Sequence, residues 1–200
     1  MSEKEPSGSG RPRAFDDAVV LEAIMQSFWK RGYQATTLEH LLADTKLSKS
    51  SLYNAFGGKE ELFTKALARY LEQEKFLESV LDDERGATMV LGMLESFAKP
   101  ATRHTKGCLM QRTMLENATR PAKSKHLEFV SSYLREVWDA ITMAMKKMKP
   151  VRKRHPLSDE EKAAVIVSAM FGRAVIARNG RNEQLLQTLS DALVKIARNS

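Results

Sequence analysis

The chain is predicted to be all helical. Three observations lead there: hydrophobic content of 42% with 7% aromatics, only ten glycines and six prolines in 200 residues, and no run of alternating apolar and polar residues that would read as a strand. A chain of this length can hold one or two domains with a sizeable buried core.

The elements follow from local punctuation. Residues 1–13, rich in Ser, Gly and Pro with charges, read as a disordered basic arm. A first helix is predicted from about Asp16 to Arg31, with Ala18, Leu21, Ile24, Met25 and Phe28 on one face and Gly32 as its stop. Thr36 and Glu39 have capping-box spacing, so a second helix begins there and runs to about Asp44 with Leu38, Leu41 and Leu42 as its stripe. Thr45, Lys46 and Leu47 make a turn, and Ser48 caps a third helix. That helix puts Leu52, Ala55 and Phe56 on one side and leaves Lys49, Ser50, Tyr53 and Asn54 on the other, until Gly57 ends it. Lys59 opens a long helix, predicted to continue to about Leu81, and residues 82–86 form a loop. Further helices are predicted at about 87–98, 107–117, 122–148, 158–179 and 182–198, with breaks at Pro100, Pro121, Pro150 and Pro156.

Residues 36–59 thus read as a helix-turn-helix with a polar face to spare. The set around it, GRPR at 10–13, FWKRGY at 28–33, TTL at 36–38 and SLYNAFGGKEELF at 51–63, resembles the TetR family of bacterial transcriptional regulators over about the first 75 residues. Two positions depart from the family pattern. Lys46 stands where glycine is common, and Gly58 where a small capping side chain is common. The resemblance implies a DNA-binding domain over 14–60, an effector-binding and dimerisation domain over 61–200, and a near-palindromic double-stranded operator as partner. By the same resemblance Lys49, Ser50 and Tyr53 face the major groove, Thr37, Lys46, Asn54 and Lys59 contact the DNA alongside them, and Arg11 and Arg13 reach the minor groove from the arm.

Net charge does not by itself argue for nucleic acid. Residues 1–60 hold eight basic and eight acidic residues, so the +7 of the whole chain arises after position 60. Binding must rest on local placement, for which a handful of cations suffices. The basic cluster Lys146, Lys147, Lys149, Arg152, Lys153 and Arg154 is either a solvated loop or a secondary contact for DNA or an acidic partner.

In the second domain Met89, Met93, Phe97, Met110, Met114, Phe129, Tyr133 and Met170 recur on successive helices, with Trp138 and Met143 nearby. They form either a packed core or, as the resemblance implies, the wall of a cavity for a small apolar or aromatic effector that polar groups such as Arg173 would orient. Cys108 is the single cysteine, which excludes an internal disulfide and a cysteine-rich metal site. At a helix start beside Lys106 and His104 it is either a redox or electrophile sensor or a packing residue. No catalytic signature is present, so no enzyme activity, cofactor or metal is expected. The first residues lack an apolar secretion core and no run is long enough to span a membrane, giving a cytoplasmic expectation. The last two helices carry broad apolar faces, Ala163, Ile166, Val167, Met170, Ala174 and Val175 on one and Leu185, Leu186, Leu189, Leu193 and Ile196 on the other. The resemblance makes them the seat of a homodimer. The expectation is a repressor released from DNA when its effector binds.

Overall fold

The computed structural model describes residues 15–82, 84–98, 108–117, 125–148, 156–178 and 182–198. Among them the chain is helix throughout, in the order α1 (Asp17–Arg31), α2 (Leu38–Thr45), α3 (Lys49–Phe56), α4 (Lys59–Glu74), α5 (Phe76–Leu81), α6 (Gly86–Ser96), α7 (Leu109–Asn117), α8 (Lys125–Lys147), α9 (Asp159–Arg178) and α10 (Glu183–Arg198). No helix of the described residues is long and apolar enough to cross a membrane.

Two buried clusters organise the molecule. The first joins α1 to α4 through Ile24, Met25, Phe28, Leu41, Leu52, Phe63 and Leu67, and continues into Leu109 and Met110 of α7 and Val130 of α8. Phe63 sits at its middle, its ring 4.7 Å from Phe28, 4.8 Å from Tyr33 and 5.3 Å from His126. The second gathers Val80, Val90, Leu94, Phe97, Val137, Ile141, Met145, Ile166 and Leu193 from α5, α6, α8, α9 and α10. Tyr133 packs against both.

Several sequence expectations need correcting. On α1, Ala18 is exposed, while Val20 and Trp29 are buried beside Ile24, Met25 and Phe28. The capping box at α2 is one residue later than its spacing suggested. The Thr37 hydroxyl accepts from the His40 amide, and the Thr37 amide donates to His40 Nδ1 at 3.2 Å. Thr36 is fully buried and its hydroxyl donates instead to the Gly32 carbonyl at 2.5 Å, closing the α1–α2 connection on itself. The single long helix from Lys59 is two helices. Lys75 takes a left-handed conformation (φ 46°, ψ 19°) and breaks it, so that α4 buries its apolar residues in the first cluster and α5 turns Val80 into the second. Gln73 and Glu74 occupy the turn before the break, and Gln73 donates to Glu22 of α1 at 2.6 Å. On α10, Leu193 is 2% exposed and belongs to the protomer's own core, with Leu189 packed against it. The apolar side chains left outward on the last two helices are Val165, Val175 and Leu185.

Candidate nucleic-acid interface and its coupling to the helical bundle

The element expected from the sequence to read DNA is α3. Leu52 and Phe56 pin its inner side into the first cluster, Ser48 accepts from the Ser51 amide at its start, and Gly57 closes its end with φ 88°, its amide donating a hydrogen bond to the Tyr53 carbonyl at 2.9 Å. What remains outward is Lys49, Ser50 and Asn54, all exposed, and Tyr53, half-buried against the core at its ring base. Lys49 and Tyr53 are four residues apart and lie on one side of the helix. The helix carries no acidic residue in its first turn, so Lys49 and the amide-rich N-terminus present one sign of potential to an approaching phosphate.

The other predicted contacts sit around it. Thr37 is exposed at the start of α2. Its oxygen accepts from the His40 amide, and its hydroxyl hydrogen-bonds the Glu39 carboxylate, whose pKa is lowered by the Glu39 backbone amide and, next, by this hydroxyl. Lys46 is exposed at the α2–α3 turn with φ 58° and ψ 24°, the left-handed geometry that glycine would adopt at less cost; for a lysine it costs roughly 1 kcal/mol. Gly58 opens α4 without a side-chain cap. Lys59 is half-buried, its ammonium 4.7 Å from the centroid of the Tyr33 ring. Burial lowers the pKa of Lys59, and the nearby Glu116 carboxylate acts in the opposite sense. Arg11 and Arg13 lie outside the described residues, as do Lys149, Arg152, Lys153 and Arg154; Lys146 pairs with Glu160 of α9 at 2.8 Å.

Residues 20–66 match the bacterial regulatory proteins of the tetR family. The transcriptional repressor ComR of Escherichia coli is 37% identical over 86 residues, and the repressor BdcR of the same organism is 24% identical over 199 residues. The ComR match spans 37% of this chain and 41% of that protein, less than half of either, whereas the BdcR match spans 96% and 94%. A solved structure of a cysteine mutant of the TetR family regulator CifR, bound to 26-base-pair operator DNA, superposes with a TM-score of 0.73 at 27% identity, covering 93% of this chain and 98% of that one. The chain is thus similar to TetR-family regulators in sequence over residues 20–66 and in fold over most of its length.

The junction between the helix-turn-helix and the rest of the bundle is built from groups that pattern reading missed. The last carbonyls of α1 have no donor partner within their own helix. Arg112 of α7 supplies one donor group for all three: Nη1 donates to Trp29 O at 3.3 Å and Lys30 O at 3.2 Å, and Nη2 to Arg31 O at 2.5 Å. Its Nε donates to Glu116 Oε1 at 2.9 Å, and Glu116 Oε2 accepts from the amides of Tyr33 at 2.9 Å and Gln34 at 3.3 Å. The pair thus caps the end of α1 and the strand of chain that follows it. Gly32 makes room, for a Cβ there would overlap the Glu116 carboxylate, and its φ of 85° is in any case glycine territory. On the opposite side Glu60 of α4 accepts from the Lys125 amide at 3.0 Å and lies 3.8 Å from His126 Nδ1. His126 is buried between the Tyr33 and Phe63 rings, where desolvation holds its pKa below the usual histidine value against the opposing pull of Glu60 and Glu116. The one sequence signal for the Arg112–Glu116 contact is opposite charge at i and i+4.

The residues proposed from sequence to line an effector cavity divide between the two clusters. Met110 is buried in the first, with Met114, Phe129 and Tyr133 packed on it. Phe97 is buried in the second, with Met93 and Met170 against it, and Met89 is 44% exposed. Arg173 lies over the Phe97 ring at 5.1 Å and donates from Nε to the Phe97 carbonyl at 3.2 Å, while Gln111 donates to the Met170 carbonyl at 3.0 Å and ties α7 to α9. Trp138 and Met143 are partly exposed on the outer side of α8. Cys108 directly precedes α7, its carbonyl accepting from the Arg112 amide at 3.1 Å. It is half-buried against the first cluster and interacts with Tyr70 and Tyr133, whose phenols are pushed well above their ordinary pKa, chiefly by burial. His104 and Lys106 lie outside the described residues. No group of three or more His, Cys, Asp or Glu among the described residues could hold a metal.

Proposed function

We propose that the chain is a homodimeric transcriptional repressor that occupies a near-palindromic double-stranded operator and leaves it when a small apolar or aromatic effector binds the helical bundle. The observation that carries this is α3: a short helix anchored by Leu52 and Phe56 whose outward side offers Lys49, Ser50, Tyr53 and Asn54 with no acid among them. Side chains of these types hydrogen-bond base edges and phosphates, and a helix of this size fits the major groove. Occupation of operator DNA by CifR and the repressor role of ComR and BdcR support the same reading. Selection from random DNA with the purified protein tests it. Enrichment of a two-fold-related pair of half-sites is expected, and recovery of unselected sequence would exclude operator recognition.

Dimer formation is proposed through α9 and α10. Val175 is 44% and Leu185 52% exposed, and Val165 also faces outward, so these helices carry apolar groups that the protomer does not cover. Because Val175 and Leu185 are outward, Val175→Glu with Leu185→Glu is expected to give a helical monomer by sedimentation and circular dichroism. A dimer of unchanged affinity would place the interface elsewhere. Two-fold symmetry then fixes the separation of the two α3 helices and so the half-site spacing.

The effector is proposed to act reversibly among Met93, Phe97, Met170 and Arg173, the set that the second cluster brings together, with Cys108 as a packing residue at the start of α7. A ligand there shifts the protein off DNA only to the extent that it prefers the conformation with the wrong head spacing.

A further inference from the structure

We propose that Arg112 and Glu116 are positioning residues for DNA binding: an ion-paired latch on α7 that fixes the orientation of the helix-turn-helix on the bundle and thereby sets the half-site spacing the dimer accepts. The inference rests on the dimeric operator-binding reading and extends it to named residues that touch no DNA. Its basis is the form of the contact. One guanidinium holds three consecutive carbonyls at the end of α1, and its partner carboxylate holds two consecutive amides just beyond. The pair grips the backbone on both sides of Gly32, the point where the chain leaves α1 for the helix-turn-helix, so rotation of α1 about its end breaks several bonds together. Both side chains are largely sheltered, at 24% and 20% exposure, which limits screening by solvent. The internal bond from Arg112 to Glu116 is an i,i+4 contact that survives release of α1, so the latch can open without stranding either charge. Arg112 and Glu116 share α7 with Gln111, which is bonded to the Met170 carbonyl of α9; movement between α7 and α9 therefore reaches the head through one rigid helix.

Two measurements test the latch on the full chain. The first needs no DNA: nitroxides at Ala43→Cys on α2 and Gln187→Cys on α10, in a Cys108→Ser background diluted with unlabelled protein, give the head-to-bundle distance distribution. Arg112→Ala and Glu116→Gln are expected to broaden it and Arg112→Lys to broaden it less; an unchanged distribution overturns the proposal whatever the DNA result. The second compares affinity for the selected operator with affinity for the same operator carrying one inserted base pair between half-sites. Release of the latch is expected to shrink the wild-type penalty for the insertion by about tenfold, the scale of ordinary inter-site coupling. A variant that was merely less stable would weaken on both DNAs alike and keep the penalty, and that outcome also overturns the proposal. Failure of the wild type to select any operator would fall on the DNA-binding reading, with the distance measurement still deciding the latch.

Discussion

Phe63→Ala is expected to lower the unfolding free energy by about 3–5 kcal/mol, a large share of the roughly 5–15 kcal/mol available to a domain of ordinary stability. Phe63 is fully buried and meets Phe28, Tyr33 and His126 by ring contact, so its removal takes away both apolar burial and three edge or tilted aromatic contacts. The cavity cannot close easily, because the partners come from α1, the α1–α2 connection and α8, three separately anchored pieces of chain. Urea unfolding followed by circular dichroism measures the loss. A change under about 1 kcal/mol would mean that the site collapses around alanine and that the first cluster is more plastic than its packing implies.

Lys49→Ala with Tyr53→Ala is expected to weaken operator binding by about 2–4 kcal/mol, roughly 30- to 900-fold, with the fold and the dimer intact. Lys49 is exposed and Tyr53 buries only part of its ring, so neither change opens the core as Phe63→Ala does. Gel shift against the selected operator, alongside the salt dependence, separates the two contributions. A loss confined to phosphate contact lowers the salt slope by about one unit per cation removed, whereas a lost base contact changes which sequence is preferred. Undiminished affinity in a folded double variant would remove α3 from the reading role.

The head was legible because its information is local. Ser48, Leu52, Phe56 and Gly57 signal a short capped helix within ten residues, and the structure places each in the part its chemistry suggests. Thr36 shows the limit of that logic. Spacing alone cannot distinguish a threonine that caps forward from one that is buried and bonds back to Gly32, and here the neighbour, Thr37, takes the cap. The break at Lys75 was not legible, since a lysine in left-handed geometry carries no sequence mark; the clue was weaker, two polar residues, Gln73 and Glu74, where the apolar stripe should continue. In the bundle, periodicity identifies the apolar side of a helix but not what that side meets. Met110 and Phe97 look alike in sequence and end in different clusters, and Leu193 looks like an interface residue and is core. Arg112 and Glu116 act on backbone about eighty residues away, and a backbone target leaves no trace in the identity of the residues that own it.

The continuity of the first cluster bears on how such a protein could be recombined. Leu109, Met110 and Val130 belong to the same packed set as Ile24, Phe28 and Leu67, so the seam between head and bundle is filled with side chains and is no tether. A cut placed in α4 or just after it would strip the underside of the head and expose apolar surface now covered by α7 and α8. Grafting this head onto another regulator's bundle therefore means transplanting a matching surface along with it, and the specificity of the reading helix is portable only together with the patch of helix that it never shows to DNA.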